Sequence, residues 1–170
     1  QALNHQEYQK AYKLLIEILQ KDKYFADGYF LLAMIASLHQ NTAKALQLIK
    51  QAVMLSPQNC EYLAQQAKHY AINKEPIKAK ESLLLAEKYQ TKSALSIDTI
   101  GVTYSMLGLH QYAIKFYLQA VELSPSNADF SYNLALAQTF TGDFYAAYQS
   151  HLKVIKFKPN HCKSHFALSN

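Results

Sequence analysis

The stretch IDTIGVTYSMLGLHQYAIKFYLQAVELSPSN, residues 97–127, contains the spacing of apolar and small residues that decides the fold. At about 100° per residue, Ile97, Ile100 and Tyr104 fall on one face of a helix, and Gly101 lies between them. A glycine among large apolar side chains allows a second helix to approach closely. The first half of the stretch is therefore predicted to be an amphipathic helix whose apolar face is buried.

The second half repeats this logic and shows where the helices end. Ala113, Tyr117 and Ala120 share one face of a second helix. Gly108 suits the tight turn before that helix, because glycine tolerates a positive φ. The helix should end before Pro125, since the residue preceding a proline avoids helical geometry. The stretch thus predicts a hairpin of two antiparallel helices.

The same residue types recur along the chain with a period of 34 residues. An alanine recurs at one phase of every unit: Ala11, Ala45, Ala79, Ala113 and Ala147. A proline closes three units: Pro57, Pro125 and Pro159. Thr91 stands at the corresponding place in the remaining unit. A fixed period of this size is typical of stacked repeats, each of which buries its apolar face against its neighbours.

These residues resemble the signature of the tetratricopeptide repeat (TPR) family, which has two antiparallel helices per repeat. The resemblance implies an all-α superhelical solenoid. We interpret residues 1–170 as one TPR domain, part of a longer protein. Full repeats are predicted at 26–59, 60–93, 94–127 and 128–161. Residues 1–25 would form a partial repeat that consists of the tail of a first helix and a complete second helix. Ala11, Leu15 and Ile18 would lie on the buried face of that second helix. Residues 162–170 would begin a further repeat or a junction helix.

Composition narrows the range of partners. The net charge of the chain is +5, its lysines are scattered, and it contains no block of like charge, so nucleic acid is not predicted as a partner. No apolar run reaches the roughly 20 residues that span a bilayer, so no membrane contact is predicted within the chain. Cys60 and Cys162 share a repeat phase in distant units and are predicted to be free thiols. Free thiols favour a reducing compartment, and we expect the cytoplasm.

The sequence offers little for catalysis. His161, Cys162 and His165 could supply zinc ligands, but the roughly four ligands of a structural site are not found, so no metal is predicted. His151 is predicted to be packed and hydrogen-bonded in the core. Phosphate-loop, nucleophile-elbow and metalloprotease motifs are missing from the sequence, so no catalytic residue or cofactor is assigned, and the chain is not expected to be an enzyme.

The TPR resemblance implies that the first helices line a concave ligand groove. The phases used for ligands in such proteins predict a peptide-binding groove lined by Phe30, Met34, Asp98, Met106, Asp129, Tyr132, Leu136 and Phe140. Phe30 and Met34 occupy phases at which chaperone-binding TPR domains carry the Lys and Asn of a carboxylate clamp, so that clamp is not expected. Asn133 is the only match to the asparagine-lined grooves of some TPR glycosyltransferases. The predicted function is therefore binding of a peptide or partner domain in an apolar groove.

Two alternatives stay open. Residues 158–170, KPNHCKSHFALSN, resemble the junction at which bacterial TPR arrays run into a sulfotransferase domain. The chain would then be the substrate-handling arm of a larger enzyme. The second alternative is an assembly scaffold that self-associates through its ends.

Overall fold

The computed structural model describes residues 5–169, which contain helices and no strand, so the all-α prediction is confirmed. The ten helices run in this order: α1 His5–Lys21, α2 Ala26–Leu38, α3 Thr42–Leu55, α4 Cys60–Ile72, α5 Pro76–Lys88, α6 Ala94–Met106, α7 His110–Leu123, α8 Ala128–Phe140, α9 Phe144–Phe157 and α10 Cys162–Ser169. They form two compact units, Gln1–Tyr89 and Gln90–Asn170.

Within each unit, helices that follow one another in sequence pack together as antiparallel pairs. The pairs α2–α3 and α4–α5 make up most of the first unit, and α1 packs on α2. In the second unit α6 pairs with α7 and α8 with α9, while α10 packs on α9. Helix α6 packs on α7 and touches α8, and it buries even Ser96, Thr99 and Thr103. Both helices of each pair contribute buried residues to the core.

The predicted core register is confirmed. The repeating alanines are 0–4% exposed at Ala45, Ala79, Ala113 and Ala147. Ile97, Ile100, Tyr104, Tyr117 and Ala120 are buried as well. A Cβ added to Gly101 would lie 2.8 Å from the ring of Tyr117, so glycine is required for the contact between α6 and α7. Burial raises the pKa of the Tyr117 hydroxyl to about 12, and the hydroxyl donates to Ser105 Oγ at 3.3 Å.

The prolines and glycines act as the sequence predicts. Helices α3, α7 and α9 each stop two residues before a proline: Pro57, Pro125 and Pro159. The tight turns inside the second unit place Gly108 and Gly142 at φ +74° and +80°. The corresponding turns of the first unit use Gln40 and Lys74, at φ 58° and 59°. The turn geometry therefore recurs every 34 residues even where no glycine marks it.

Two details of the prediction for residues 1–25 need correction. Residues 5–21 form the single helix α1, and residues 1–4 lie outside the described part. Ala11 is exposed, unlike its four equivalents, because no helix among residues 5–169 covers that side of α1; Leu15 is buried and Ile18 half-buried. His165 is exposed, since no second helix follows α10 among the described residues. Asn127 Oδ1 accepts from the first-turn amides of α8, and Asp129 lies inside that turn, where the helix dipole favours its negative charge.

Candidate protein-interaction surface

In the second unit, helices α6 and α8 bring part of the predicted groove together around a cavity of about 480 Å³. Met106, Leu136 and Phe140 line it and are 45%, 38% and 70% exposed. Val102, Tyr117 and Asn133 also line the cavity. Exposed Met, Leu and Phe side chains around a concavity are a composition that suits binding of an apolar side chain from a partner.

A hydrogen-bonded pair fixes one side of this cavity. Asn133 Nδ2 on α8 donates to both carboxylate oxygens of Asp98 on α6, at 3.0 and 3.3 Å. Asp98 is only 7% exposed. The Asp98 carboxylate is therefore not a solvent-facing charge. It holds the Asn133 amide in place beside the cavity.

His110 is a residue of this site that the sequence analysis missed. It lines the cavity from the start of α7, and its ring stacks on Phe140 with 4.5 Å between ring centroids and 7° between planes. His110 Nδ1 is buried and has no hydrogen-bond partner in the part of the chain that the structure describes. The only sequence signal that could have indicated His110 is its position two residues after Gly108. A residue at that position adjoins the turn and the neighbouring first helix.

Asp129 and Tyr132 lie on α8 but do not line this cavity. Asp129 is exposed and forms an ion pair with Lys158 at 2.6 Å between Oδ1 and Nζ. Tyr132 is half-buried, and its ring lies edge-on to His161 with 4.7 Å between centroids. Neighbouring side chains thus occupy part of the stripe that sequence spacing predicts as ligand-binding.

Phe30 and Met34 lie on α2 in the first unit and have different surroundings. Phe30 stacks on Tyr62 with 4.9 Å between ring centroids, and the Tyr62 hydroxyl donates to the Asp27 carboxylate. Burial and the Asp27 charge raise the pKa of Tyr62. Met34 lines a second cavity, of about 380 Å³, between α1 and α2. These two predicted residues therefore belong to two separate environments.

The histidine and cysteine candidates make local contacts. His151 is buried, and its Nδ1 lies 3.0 Å from Ser164 Oγ, so the packed role is confirmed. Burial, together with the charge of His161, lowers the pKa of His151. His161 Nδ1 accepts from the Ser164 amide at 3.2 Å, and His165 Nε2 lies 2.6 Å from the carbonyl oxygen of Pro159. Among the described side chains, no three His, Cys, Asp or Glu residues are grouped to hold a metal ion.

Both cysteines are free thiols. Cys60 is buried and donates to the carbonyl oxygen of Ala86 at 3.3 Å, a contact that joins α4 to α5. Burial raises the pKa of the Cys60 thiol, so its reactive thiolate form is disfavoured. Cys162 is exposed. No helix among residues 5–169 is long and apolar enough to cross a membrane.

Comparison with known proteins agrees with this architecture. A tetratricopeptide repeat family model matches residues 26–59 and 96–127. The thermophilic TPR protein TTC0263 from Thermus thermophilus superposes with a TM-score of 0.76 at 18% identity, over 95% of this chain and 89% of its own. YrrB, a TPR protein with an unusual peptide-binding site, superposes with a TM-score of 0.70 at 16% identity, over 91% of this chain and 79% of its own. The MamA protein superposes with a TM-score of 0.68 at 24% identity, over 84% of this chain and 78% of its own.

The chain therefore carries tetratricopeptide repeats, and its fold is that of a TPR α-solenoid built from antiparallel helix pairs. None of the curated protein sequences matches it significantly. At identities below 25%, the similar structures show the fold and not a shared ligand. TPR solenoids typically serve as non-catalytic interaction modules, so the fold points to binding of a protein or peptide.

Proposed function

We propose that this protein binds a peptide segment of a partner protein and that the main anchor site is the cavity of the second unit. The observation that carries the proposal is the cavity lined by Met106, Leu136 and Phe140 on α6 and α8. A peptide-binding site in the structurally similar YrrB supports the same class of ligand. Phe30 and Tyr132 stay secondary candidates because their rings pack on Tyr62 and His161, and Met34 because it lines the separate cavity between α1 and α2.

The polar part of the site indicates how a peptide would be oriented. Asn133 uses its Nδ2 on Asp98, which leaves its carbonyl oxygen as an acceptor for a peptide N–H. Asp98 acts as a positioning residue for that amide. Asp129, which pairs with Lys158, offers a negative charge to a basic ligand residue that displaces the lysine. The proposed ligand is therefore an extended or helical segment with one large apolar anchor and a few basic residues.

This proposal treats the chain as a binding module without catalysis of its own, located in the cytoplasm. The enzyme-arm alternative rests on residues 158–170 and stays a prediction. The part of that stretch from Cys162 to Ser169 forms helix α10, which would equally suit the first helix of another repeat.

Panning a phage-displayed library of random peptides on the immobilised chain tests the proposal. Enriched sequences should share a large apolar residue next to basic residues. A labelled synthetic peptide of that type should bind Leu136→Ser and Phe140→Ser roughly 30-fold more weakly than wild type, because truncating a central anchor costs about 2 kcal/mol. Leu118→Ser on α7 is the matched control, since Leu118 is 51% exposed and lies outside the cavity.

Circular dichroism should show wild-type helicity for all three variants, because the substituted side chains are exposed. Panning that enriches no peptide family, or enriched peptides that bind the cavity variants as tightly as wild type, would contradict the proposal.

A further inference from the structure

The last part of the chain contains positive charge without any negative charge. From Phe144 to Asn170 there are four lysines, three histidines and no Asp or Glu. Large apolar side chains are exposed in the same stretch: Phe144 is 69%, Tyr145 78% and Phe166 71% exposed. The peptide site on α6 and α8 does not include any of these residues.

Helix α9 places two of these lysines on the same side as exposed apolar side chains. At about 100° per residue, Tyr145, Tyr148 and Leu152 lie within about 60° of one another, and Lys156 and Lys153 both follow on one side of them, about 20° and about 80° from Tyr145. Tyr145, Tyr148 and Leu152 are 78%, 47% and 36% exposed, and both lysines are exposed. The opposite side of α9 is buried. We call these five residues the exposed face of α9.

An internal comparison shows that stacking of helix pairs leaves the Tyr145 and Leu152 phases of this face exposed. The residues of α7 at the same repeat phases as Tyr145 and Leu152 are Gln111 and Leu118. Helix α7 packs against both α6 and α8, yet Gln111 stays exposed and Leu118 is 51% exposed. A further helix pair packed against α10 in the same way would therefore leave Tyr145 and Leu152 accessible, whereas the phase of Tyr148 is half-buried at Ile114 of α7.

The charges of this face are available to a partner. Lys153 has no ion pair among the described residues, and Lys156 lies over the ring of its neighbour Phe157, 5.5 Å from the centroid. Lys158 is different, because it is paired with Asp129. Lys156 also lies in the last turn of α9, where the helix dipole favours a positive charge.

We propose that the exposed face of α9 docks on an anionic lipid surface. Tyr side chains, which have an apolar ring and a polar hydroxyl, partition to the membrane interface, and lysines extend their charge to the headgroups along apolar stems. A planar surface requires no cavity, which fits a face formed by one side of a single helix. The chain contains no Arg, the residue best suited to base and phosphate recognition, so nucleic acid fits this face less well.

Cosedimentation with phosphatidylcholine vesicles, with and without phosphatidylserine, tests the proposal. The chain should bind only the vesicles that contain phosphatidylserine, and high sodium chloride should release it, because salt screens the attraction. Lys153→Gln with Lys156→Gln should lower the partition coefficient about 25-fold, at about fivefold for each lysine near an anionic surface. Tyr145→Ser with Tyr148→Ser should weaken vesicle binding but leave the salt dependence of that binding unchanged.

The matched control is Lys44→Gln with Lys80→Gln, which removes two exposed lysines from the first unit. This control and Leu136→Ser should bind vesicles like wild type, so failure of the peptide site and failure of the lipid face can be told apart. Equal binding to neutral vesicles, no binding to either, or an equal loss in the control pair would overturn the proposal. Lysine-dependent binding to polyglutamate or an oligonucleotide without vesicle binding would also overturn it.

Discussion

One backbone position in each helix pair decides the tight turn between its two helices. Gly108 and Gly142 occupy it in the second unit, and Gln40 and Lys74 in the first, all at positive φ. L-residues other than glycine pay a steric cost in this left-handed conformation, about 1 kcal/mol or more. Because different residues adopt a similar positive φ here, substitutions at this position test the local backbone strain.

Exchanging residues at this position should change stability in opposite directions. Gly108→Ala should lower the free energy of unfolding by about 1 kcal/mol, although nothing lies within 4 Å of the added Cβ. Lys74→Gly should raise it by up to about 1 kcal/mol, partly offset by the chain entropy of glycine. Urea denaturation followed by circular dichroism measures both. A neutral Gly108→Ala variant would show that the turn relaxes to another conformation.

At the scale of elements, a buried histidine joins α2 to α4 in the first unit. His69 is 2% exposed, and its Nε2 lies 2.9 Å from Ser37 Oγ. Its Nδ1 has no partner in the part of the chain that is described. Burial, assisted by the charge of Lys68, lowers the pKa of His69 to about 4. The folded first unit therefore requires a neutral imidazole.

Acid should weaken the first unit through this residue. Because the folded pKa lies below the ordinary value of 6.5, the unfolded chain takes up a proton first, and stability present above about pH 6.5 is lost as the pH falls toward 4. The loss should reach about 3 kcal/mol. Urea titrations across this pH range should give a steeper decline for wild type than for His69→Leu. Equal slopes would show that His69 protonates without opening the contact.

At the scale of the whole molecule, the uncovered apolar side of α1 and α2 should govern solution behaviour. Leu14, Leu31 and Leu38 beside the smaller cavity are 57%, 45% and 62% exposed. Contiguous apolar surface of this kind favours association. The repeats that cover Ala45 and its equivalents show that such a side normally packs against another helix.

We expect concentration-dependent self-association through this side. Multi-angle light scattering should give an average mass that rises with concentration for wild type and stays close to that of a monomer for Leu14→Glu with Leu38→Glu. Ile77→Glu with Leu84→Glu on α5 is the control, because those side chains are also highly exposed, at 74% and 66%. A wild-type chain that stays monomeric at all concentrations would rule out this association.

The sequence alone determined the helix pairs and the core. Three sequence features each act over a few residues: the periodic alanines, the close helix contact at Gly101 and the prolines after the second helices. Their effect therefore follows from helix geometry and backbone sterics. Helix α5 shows the limit of this approach: without a proline at Thr91, the sequence did not indicate where the helix ends, and it ends at Lys88.

Only the tertiary structure decided which residues of the predicted groove remain accessible. Helical spacing places Asp98, Tyr132 and Leu136 on one stripe, but it does not say which neighbours reach them. Asn133 binds Asp98, His161 packs on Tyr132, and Leu136 stays at the cavity. These contacts join residues on different helices, and burial and hydrogen bonding depend on that packing rather than on the period of any one helix.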